Sequence, residues 1–455
     1  MMADTQERAE QPNIVLVVAD DHGLDSGCYG NPVIQTPHMD ALARDGVRFN
    51  YSFCTAASCS ASRGVILSGL HTHANGQFGH EHTYHHFSAF DHVRSLPVLL
   101  GEAGYRTARV GKFHVGPERV FRFDHALPGN GRSPVQMADN CRDFIAGDAS
   151  QPFFLYYCTN DPHRDGNYAT DLPGAPNCFG NRPEGYPGVK TITYDPREVV
   201  VPPFLPDVLE TRAELAQYYQ SVSRLDQGIG RLTQILKETG RYDNTVIIYI
   251  SDNGMAFPEA KTTLYDAGMR LPCIVRSPLH SRSSAVCNAM ITWADLAPTL
   301  LDFAGATPRD YAFHGRSFKD ALGQENPEGW DEVYASHCFH EITMYYPMRV
   351  ARTRKRKFIW NIAHPLPYPF ASDLWAAPTW KAVERHGLKV FGKRPVENYL
   401  QRPRYELYDL EADPYEVNNL AADPRHAGLV SQFEEKLKAF QQRTKDPWVV
   451  KWEHE

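Results

Sequence analysis

Acidic side chains follow two separate apolar runs of the chain, at the points where we expect buried strands to end. The first pair is Asp20-Asp21 and the second is Asp252-Asn253. Functional residues of an open α/β sheet gather at the carboxyl ends of its strands, so the two pairs are predicted to meet there. Their three carboxylates and one amide oxygen suit a hard cation, Ca²⁺ or Mg²⁺, rather than zinc. Each pair taken alone could instead cap the helix that follows it.

A cysteine lies in the next informative segment, which has the sequence SCSASRG. Arg63 follows Cys59 by four residues, and the run GVILSGL that comes next has the composition of a helix. The sulfur is therefore expected near a helix N-terminus, where backbone N–H groups favour an anion. Chemistry alone allows an activated thiolate at this position, and it leaves open the commoner case of a buried structural cysteine.

Two lysines and two histidines follow other predicted strand ends or the second acidic pair. Lys112 and His114 occur in GKFHVG, His163 occurs in NDPHRDG, and Lys261 comes shortly after Asp252-Asn253. Taken singly, such a lysine usually lies on a solvated face and such a histidine is usually packed and hydrogen-bonded. Placed together beside a metal site, they form what an anionic ester needs, with positive charge for its oxygens and imidazoles for proton transfer.

The elements that must position these residues alternate between strands and helices, which predicts an α/β fold with a large, mostly parallel sheet flanked by helices. The predicted strands are Asn13–Ala19, Arg106–Val110, Gln151–Cys158 and Val246–Ser251. The predicted helices are Thr36–Val47 with Thr36 as N-cap, Ser95–Ala103 and Thr211–Thr239. The Gly- and Pro-rich stretch Asn160–Phe204 is predicted to be a long surface loop at the entrance of the site.

The C-terminal part of the chain has a different pattern. Strand-like segments at Met348–Thr353, Lys357–Asn361 and Glu406–Asp409, followed by a helix near Ser431–Gln442, predict a smaller antiparallel subdomain closed by a terminal helix. We therefore divide the chain into a polar tail (1–12), a catalytic α/β domain (13–332) and a C-terminal subdomain (333–455).

Composition narrows the class of protein. The 455 residues carry a net charge of −7, which argues against nucleic-acid binding but not against an anionic substrate in a locally positive pocket. No apolar stretch approaches the roughly 20 residues of a membrane span. The nine cysteines are scattered without a CxxC pair, so neither a disulfide framework nor a zinc ribbon is indicated. The polar N-terminus is no secretory signal, so we expect a cytoplasmic protein, or a periplasmic or secreted one if a signal has been removed.

These motifs together resemble the formylglycine-dependent sulfatases of the alkaline-phosphatase-like superfamily. CSASR resembles the signature cysteine-x-proline-x-arginine, in its variant with alanine at the third position. VVADDHG, TPHMDALARDG, GKFHVG, NDPHRDG and SDNG resemble the other sulfatase blocks, in the family's order. The pieces HHFSAFDHVRSLP, HEITMYYPMR and YELYDLEADPYEVNNLAADPR look closest to the heparan N-sulfatases, or sulfamidases, within that family.

The resemblance implies cofactors. Ca²⁺, or alternatively Mg²⁺, would be bound by Asp20, Asp21, Asp252 and Asn253. Cys59 would be oxidised to formylglycine by a formylglycine-generating enzyme or a radical maturase, and as its hydrate would complete the coordination and attack sulfur.

The resemblance also implies catalytic roles. Arg63 would orient the hydrate, while Lys112 and Lys261 hold the sulfate oxygens together with the metal. His163, with Lys261, would assist the leaving group, and His114 would take the proton whose removal lets sulfate depart.

Residues for the substrate are suggested on the same basis. Seven histidines lie between positions 71 and 92, and we interpret them, His85 and His86 in particular, as a pocket rim that hydrogen-bonds a sugar. A zinc cluster is conceivable, and a structural role for most of them stays open. His340 and Glu341 are candidates for substrate recognition, in which the carboxylate would pair with a released amino group, unless they form a surface-loop pair. The seven are His71, His73, His80, His82, His85, His86 and His92.

Three positions depart from the family pattern. Ala61 replaces the usual proline, which leaves the maturation enzyme open. Lys261 stands where the sulfamidases have arginine, and Asp165 stands where they have a cysteine, so a disulfide expected there is absent.

The function predicted from these residues is hydrolysis of sulfate from a sulfated saccharide, with glucosamine N-sulfate as the specific candidate. An O-sulfatase and a phosphate or phosphonate monoester hydrolase are the alternatives, because a pocket for a tetrahedral anion does not by itself settle the substrate. A non-catalytic sugar-binding protein with unmodified Cys59 is the alternative from another class, and the resemblance also suggests a homodimer.

Overall fold

A sheet of eight strands forms the centre of the computed structural model, which describes residues 11–165, 178–280 and 284–454. Its strands are β1 (Asn13–Ala19), β2 (Val47–Phe53), β3 (Arg106–Gly111), β4 (His125–Leu127), β5 (Phe153–Cys158), β6 (Thr245–Ser251), β7 (Cys273–Arg276) and β8 (Ala285–Thr292). They lie in the order β4-β3-β5-β1-β6-β7-β2-β8. All pairings are parallel except those of β7, which runs antiparallel to β6 and β2.

A second, antiparallel sheet has the order β14-β11-β10-β9. Its strands are β9 (Glu332–His337), β10 (Met348–Thr353), β11 (Arg356–Asn361) and β14 (Tyr405–Asp409), and a separate hairpin pairs β12 (Val390–Phe391) with β13 (Arg394–Pro395). The mostly parallel large sheet and the smaller antiparallel sheet are both as predicted, whereas the division into domains at residue 332 stays a prediction.

The helices are α1 (Pro37–Arg44), α2 (Cys59–Ser68), α3 (Thr72–Asn75), α4 (Leu96–Glu102), α5 (Pro134–Asp139), α6 (Arg142–Ala146), α7 (Leu209–Glu238), α8 (Asp266–Met269), α9 (Leu296–Phe303), α10 (Ser372–Trp375), α11 (Pro378–His386), α12 (Val396–Leu400) and α13 (Ala427–Thr444). Short 3-10 helices occupy Gly27–Tyr29, Tyr242–Asn244, Trp293–Asp295, Lys319–Gly323, Pro424–His426 and Pro447–Trp452. Among the described residues, no helix has both the length and the apolar character that crossing a bilayer requires.

The apolar runs that predicted β1 and β6 also explain why these strands lie in the middle of the sheet. Every residue of β1 and of β6 is buried, as expected for parallel strands that are covered on both faces. On one face lies α7, whose Tyr218, Val222 and Leu225 are fully buried while its opposite side carries the polar residues.

The predicted helix Thr36–Val47 begins as predicted, with Thr36 at the N-cap position and Pro37 as its first residue, but its predicted end is wrong. The helix ends at Arg44, and Val47 begins β2, because the sequence VRFNYSF pairs with β8 on one side and β7 on the other. The side chain of Thr36 makes no capping bond to α1; its hydroxyl accepts the Gly27 N–H instead. The strands β2, β7 and β8 were not predicted, since β7 is only four residues long and the other two mix polar residues into their pattern.

The predicted loop Asn160–Phe204 lies partly outside the described residues. Its described parts, 160–165 and 178–204, contain neither a helix nor a strand.

Candidate active site

The two acidic pairs meet because their strands are neighbours in register. β1 and β6 pair in parallel with Ala19 opposite Ser251, so Asp20-Asp21 and Asp252-Asn253 leave the sheet at the same point. The Asp252 N–H donates to the Ala19 carbonyl at 3.1 Å, and the Asp21 N–H donates to Asp252 Oδ1 at 3.1 Å. No α-helix begins directly after either pair, since the next ones in these described stretches start at Pro37 and Asp266, so the pairs are not helix caps.

The oxygens of this corner fit a metal ion. Asp20, Asp21, Asp252 and Cys59 each place a potential ligand atom within 4.8 Å of the others, and all four residues are buried. Asp20 Oδ1 and Asn253 Oδ1 are buried, and neither has a hydrogen-bond partner in the part of the chain that the structure describes. Burial and the neighbouring carboxylates raise the pKa of Asp252 to about 7 against the opposing effect of Arg63. A hard cation would satisfy both the unpartnered oxygens and the crowded negative charge.

Cys59 is the first residue of α2 and is fully buried. The preceding Ser58 does not cap the helix, because its hydroxyl bonds His340 Nδ1 at 2.8 Å. Burial raises the pKa of the Cys59 thiol well above its usual value, and Asp21 adds to this while Lys112 and Lys261 oppose it. The side chain is therefore a neutral thiol, which disfavours the activated thiolate that the sequence left open.

Arg63 lies one turn further along α2 and connects the corner to β3. Its Nε and Nη2 both lie 2.9 Å from Asp252 Oδ2, and its Nη1 donates to the Lys112 carbonyl at 3.1 Å. Asp20 Oδ1 lies 3.6 Å from Nη2. The fully buried guanidinium thus balances two of the carboxylates beneath the metal corner.

The two lysines each pair with a different acid of the corner. Lys112, directly after β3, places Nζ 2.6 Å from Asp20 Oδ2. Lys261 places Nζ 2.9 Å from Asp21 Oδ2, 2.9 Å from Asp373 Oδ2 and 3.1 Å from His163 Nε2. Two ammonium groups therefore flank the same carboxylate corner and line the same cavity, which is where a bound tetrahedral anion would be held.

His163 is held by the loop that follows β5. Asp161, in this loop, is fully buried and accepts from Arg224 Nε and Nη2 at 2.7 Å each and from Arg132 Nη1 at 3.1 Å. The His163 Nδ1–H donates to the Arg164 carbonyl at 2.5 Å. This tautomer leaves the Nε2 lone pair of His163 facing Lys261.

His114 belongs to a group of imidazoles on the other side of the lysines. Its Nε2 lies 2.8 Å from His82 Nδ1, its ring stacks on that of His80 at 4.9 Å, and its backbone has a positive φ of 55°. Burial and then Lys112 lower the pKa of His114 well below its usual value, so the ring is neutral.

A cavity of about 720 Å³ opens above these groups, and three of the four predicted substrate-binding residues line it. His85 accepts the Ile342 N–H at Nδ1 at 3.1 Å, and His340 is buried, so His340 is not part of an exposed surface-loop pair. Glu341 Oε1 accepts from the Ser372 N–H at 2.8 Å and from its hydroxyl at 2.6 Å. His86 is exposed and is not among the described residues that line this cavity, so its predicted place at the pocket rim is wrong.

Asp373 is the functional residue that the sequence did not indicate. It lies on the four-residue helix α10, lines the cavity, and forms the ion pair with Lys261. Lys261 first, then His163 and Arg164, outweigh burial and hold the pKa of Asp373 well below its usual value. The surrounding stretch carries only a Pro- and aromatic-rich composition, which gives no signal for an acid at an active site.

Family models match most of the chain. Residues 12–306 match the sulfatase family, and residues 259–365 match the family described as N-sulphoglucosamine sulphohydrolase, C-terminal. Human N-sulphoglucosamine sulphohydrolase is 39% identical to this chain over 464 aligned residues, which cover 97% of this chain and 92% of the human protein. An ulvan-active sulfatase from Formosa agariphila is 28% identical, covering 94% of this chain and 80% of its own length.

Solved structures share the same fold. A protein solved in complex with its substrate D-glucosamine-2-N,6-O-disulfate is 24% identical, with a TM-score of 0.69 over 96% of this chain and 99% of that one. A phosphonate monoester hydrolase from Agrobacterium radiobacter is 19% identical, with a TM-score of 0.66 over 95% of this chain and 96% of its own. At these identities the likeness supports the fold alone.

Proposed function

The chain belongs to the sulfatase family, and from this premise we propose that it releases sulfate from the nitrogen of an N-sulfated glucosamine, using Ca²⁺ and a formylglycine made from Cys59. The observation that carries the proposal is the convergence of Lys112 and Lys261 above Cys59 and the carboxylate corner. The similarity to the human sulphohydrolase supports the choice of an N-linked sulfate.

The residues of the corner would hold the metal through the side-chain oxygens of Asp20, Asp21, Asp252 and Asn253. Bound there, Ca²⁺ supplies positive charge beside the sulfate, and the hydrated formylglycine supplies a hydroxyl as the nucleophile. The chain's own contribution is to keep these oxygens together: Arg63 holds Asp252, and Asn253 Nδ2 donates to Asp21 Oδ1 at 2.5 Å.

The lysines bind and orient the sulfate. The Nζ of Lys112 has hydrogens to spare beyond its one carboxylate partner, because an ammonium group donates three, whereas Lys261 divides its three among Asp21, Asp373 and His163 and acts on the sulfate mainly through its charge. They face the cavity side of the corner, and low accessibility strengthens their attraction for an anion.

Proton transfer is assigned to the two histidines. Burial and Lys112 lower the pKa of His114, so the ring is neutral and one of its nitrogens keeps the lone pair that a transferred proton needs. His163 Nε2 lies 3.1 Å from Lys261 Nζ, so this pair can pass a proton toward the leaving nitrogen. The amine that leaves becomes an ammonium group, and Glu341 and Asp373 offer carboxylates for it in the same cavity.

Calcium binding is tested by thermal unfolding. After chelation and dialysis, added Ca²⁺ should raise the unfolding midpoint, with a stabilisation of about 2.7 kcal/mol when the free ion is a hundredfold above its dissociation constant. Asn253→Ala should lose most of this shift, whereas Asn326→Ala, at an exposed position, should keep it. If Mg²⁺ raises the unfolding midpoint and Ca²⁺ does not, the metal of the carboxylate corner is Mg²⁺.

The activity is tested by co-expression with a maturase and measurement of free sulfate from glucosamine N-sulfate and from glucosamine 6-sulfate. We expect release from the N-sulfate, none from Cys59→Ala, and a mass decrease of the Cys59 peptide that matches conversion of the thiol to an aldehyde. Release only from the 6-sulfate would replace the proposal by an O-sulfatase. Turnover of phosphate or phosphonate monoesters alone would show that the protein is a hydrolase of those esters. Sulfate release by protein with an unmodified Cys59 would show that formylglycine is not the nucleophile.

A further inference from the structure

We propose that His80, His82 and His114 form a second metal site in the wall of the active-site cavity, and that it takes a borderline cation such as Zn²⁺. One nitrogen from each ring lies within 4.8 Å of the others. Three imidazoles with an open position are the ligand set that zinc favours, in contrast to the oxygen ligands of the carboxylate corner.

The distance between two of the three ligand nitrogens is close to what a zinc ion needs, and the third lies within 4.8 Å of both. Zn–N bonds of about 2.0–2.1 Å place two nitrogens of a tetrahedral site about 3.3 Å apart. His82 Nδ1 and His114 Nε2 are 2.8 Å apart, so the two rings need to separate by only about half an ångström. His82 can make this movement because its side chain is exposed at the mouth of the cavity.

The buried members of the cluster have nitrogens without partners. His80 Nδ1 is buried and has no hydrogen-bond partner among the described residues, and the same holds for His114 Nδ1, the ring nitrogen that does not face His82. The other nitrogen of His80 lies 3.0 Å from His340 Nε2, and His340 Nδ1 lies 2.8 Å from the Ser58 hydroxyl. A chain of N–H donors running from His80 through His340 to Ser58 leaves the His80 Nδ1 lone pair unoccupied, and it supplies the outer hydrogen bond that orients a ligating histidine.

The nearby lysines do not exclude a cation. Lys112 is paired with Asp20 at 2.6 Å, and Lys261 is paired with both Asp21 and Asp373 at 2.9 Å, so these carboxylates offset part of the positive charge beside the cluster. Glu81 and Glu341 also line the cavity and add negative charge at its wall. The fourth position of the ion faces the cavity, where water can occupy it.

Occupation of this site has a consequence for the reaction, and that consequence rests on the proposed function. A zinc ion on His114 uses the lone pair with which the ring would accept a proton. It also narrows the cavity through which the saccharide enters. Zn²⁺ should therefore inhibit sulfate release reversibly and in competition with the substrate.

Binding is tested first, without reference to activity. Zn²⁺ is titrated calorimetrically into Cys59→Ala protein that is saturated with Ca²⁺, so that neither the thiol nor the carboxylate corner is available. We expect one saturable equivalent per chain. His82→Ala should weaken it by more than about tenfold, because loss of even an outer partner of a ligand costs that much. His86→Ala removes an exposed histidine four residues away and should leave the affinity unchanged.

The visible spectrum of Co²⁺ in the same protein gives an independent reading, since intense d–d bands indicate a four-coordinate site. Absence of saturable Zn²⁺ binding, or binding that His82→Ala and His80→Ala leave unchanged, would overturn the site. Binding without inhibition of the matured wild-type enzyme would overturn only the inhibitory consequence, and failure of the proposed activity would leave the calorimetric result standing.

Discussion

At the level of single residues, the buried contacts of Lys261 matter most for the candidate site. Its ammonium group contacts Asp21, Asp373 and His163 at 2.9–3.1 Å and is almost completely buried. A buried charge stays charged only when partners compensate the cost of removing it from water. The two carboxylates therefore fix both its protonation and its position, and Asp373 does so from the C-terminal part of the chain.

We predict that Asp373→Asn lowers the rate of sulfate release about ten- to hundredfold, because Lys261 then loses one of its two charged partners and shifts from the position it needs. Steady-state kinetics with glucosamine N-sulfate would measure the loss in kcat and KM separately. Asp91→Asn is the matched control, since Asp91 pairs with Arg119 at the exposed surface. An unchanged kcat/KM for Asp373→Asn would show that Asp21 alone positions the lysine.

Among the elements, α7 determines how closely several others approach the sheet. Gly228 of α7 faces α5, and a Cβ at that position would lie 2.4 Å from Pro134 Cβ and 3.1 Å from the Tyr157 hydroxyl oxygen. Asp226, on the same helix, accepts the Met39 N–H at 2.7 Å and the His38 N–H at 3.1 Å. The cap of α1 therefore comes from a helix far away in sequence rather than from Thr36.

Gly228→Ala should destabilise the protein by about 1–3 kcal/mol, since the added methyl group has no space against α5. Gly101→Ala in α4 is the opposite case, because nothing lies within 4 Å of its Cβ position. That change should stabilise by about 0.5–1 kcal/mol through helix propensity. Unfolding midpoints of both variants would measure this contrast, and equal shifts in the two would contradict the packing argument.

The cap also predicts a pH dependence. Burial raises the pKa of Asp226 to about 7, although the Met39 and His38 N–H groups oppose the rise. The folded state then holds a proton that the unfolded state releases above its pKa of about 3.9, so the wild-type protein loses stability between about pH 4 and pH 7.

Asp226→Asn has no such titration. The stability of the variant relative to wild type should therefore increase over this pH range and level off above it. Chemical denaturation at several pH values would measure the slope, and a difference that does not vary with pH would refute the raised pKa.

At the scale of the whole molecule, the two sheets are joined by a buried charge network. Asp266 of α8 accepts from Arg352 Nε and Nη2 at 2.9 and 2.7 Å and from Lys357 Nζ at 2.8 Å, both of which belong to the antiparallel sheet. Lys357 also pairs with Glu416 at 2.7 Å, and the Asp266 N–H donates to Glu416 at 2.6 Å.

Asp266→Ala should destabilise the protein by about 3–5 kcal/mol, because it leaves the buried Arg352 without its carboxylate and leaves Lys357 with Glu416 alone. Hydrogen exchange followed by mass spectrometry should show the largest loss of protection in β10 and β11. Asp331→Ala is the control, since Asp331 pairs with Arg354 at an exposed edge of the same sheet. Uniform loss of protection in the large sheet, with β10 and β11 unaffected, would contradict the assignment of the junction.

Patterns of residues close together in the sequence were sufficient to predict two central strands, the carboxylate corner and the start of α2. The apolar runs before Asp20 and Asp252 predicted β1 and β6, and parallel pairing of such strands brings their carboxyl ends together, so the carboxylate corner followed. The segment SCSASRG predicted a cysteine at a helix start, and α2 begins at Cys59. These features depend on residues close in sequence and on the general geometry of α/β sheets.

Tertiary structure alone decided the rest, because it depends on contacts between residues far apart in sequence. Nothing near Asp373 in the chain marks it as a partner of Lys261, and Asp226 replaces Thr36 as the cap of α1 only because α7 packs there. The histidines between 71 and 92 separate in the same way. His80 and His82 join His114 in the lining of the cavity, while His86, only four residues beyond His82, lies outside that lining. Because the seven histidines are close together in the sequence, they were predicted to form the rim of one pocket. The path of a loop without regular structure instead determines which of their side chains reach the site.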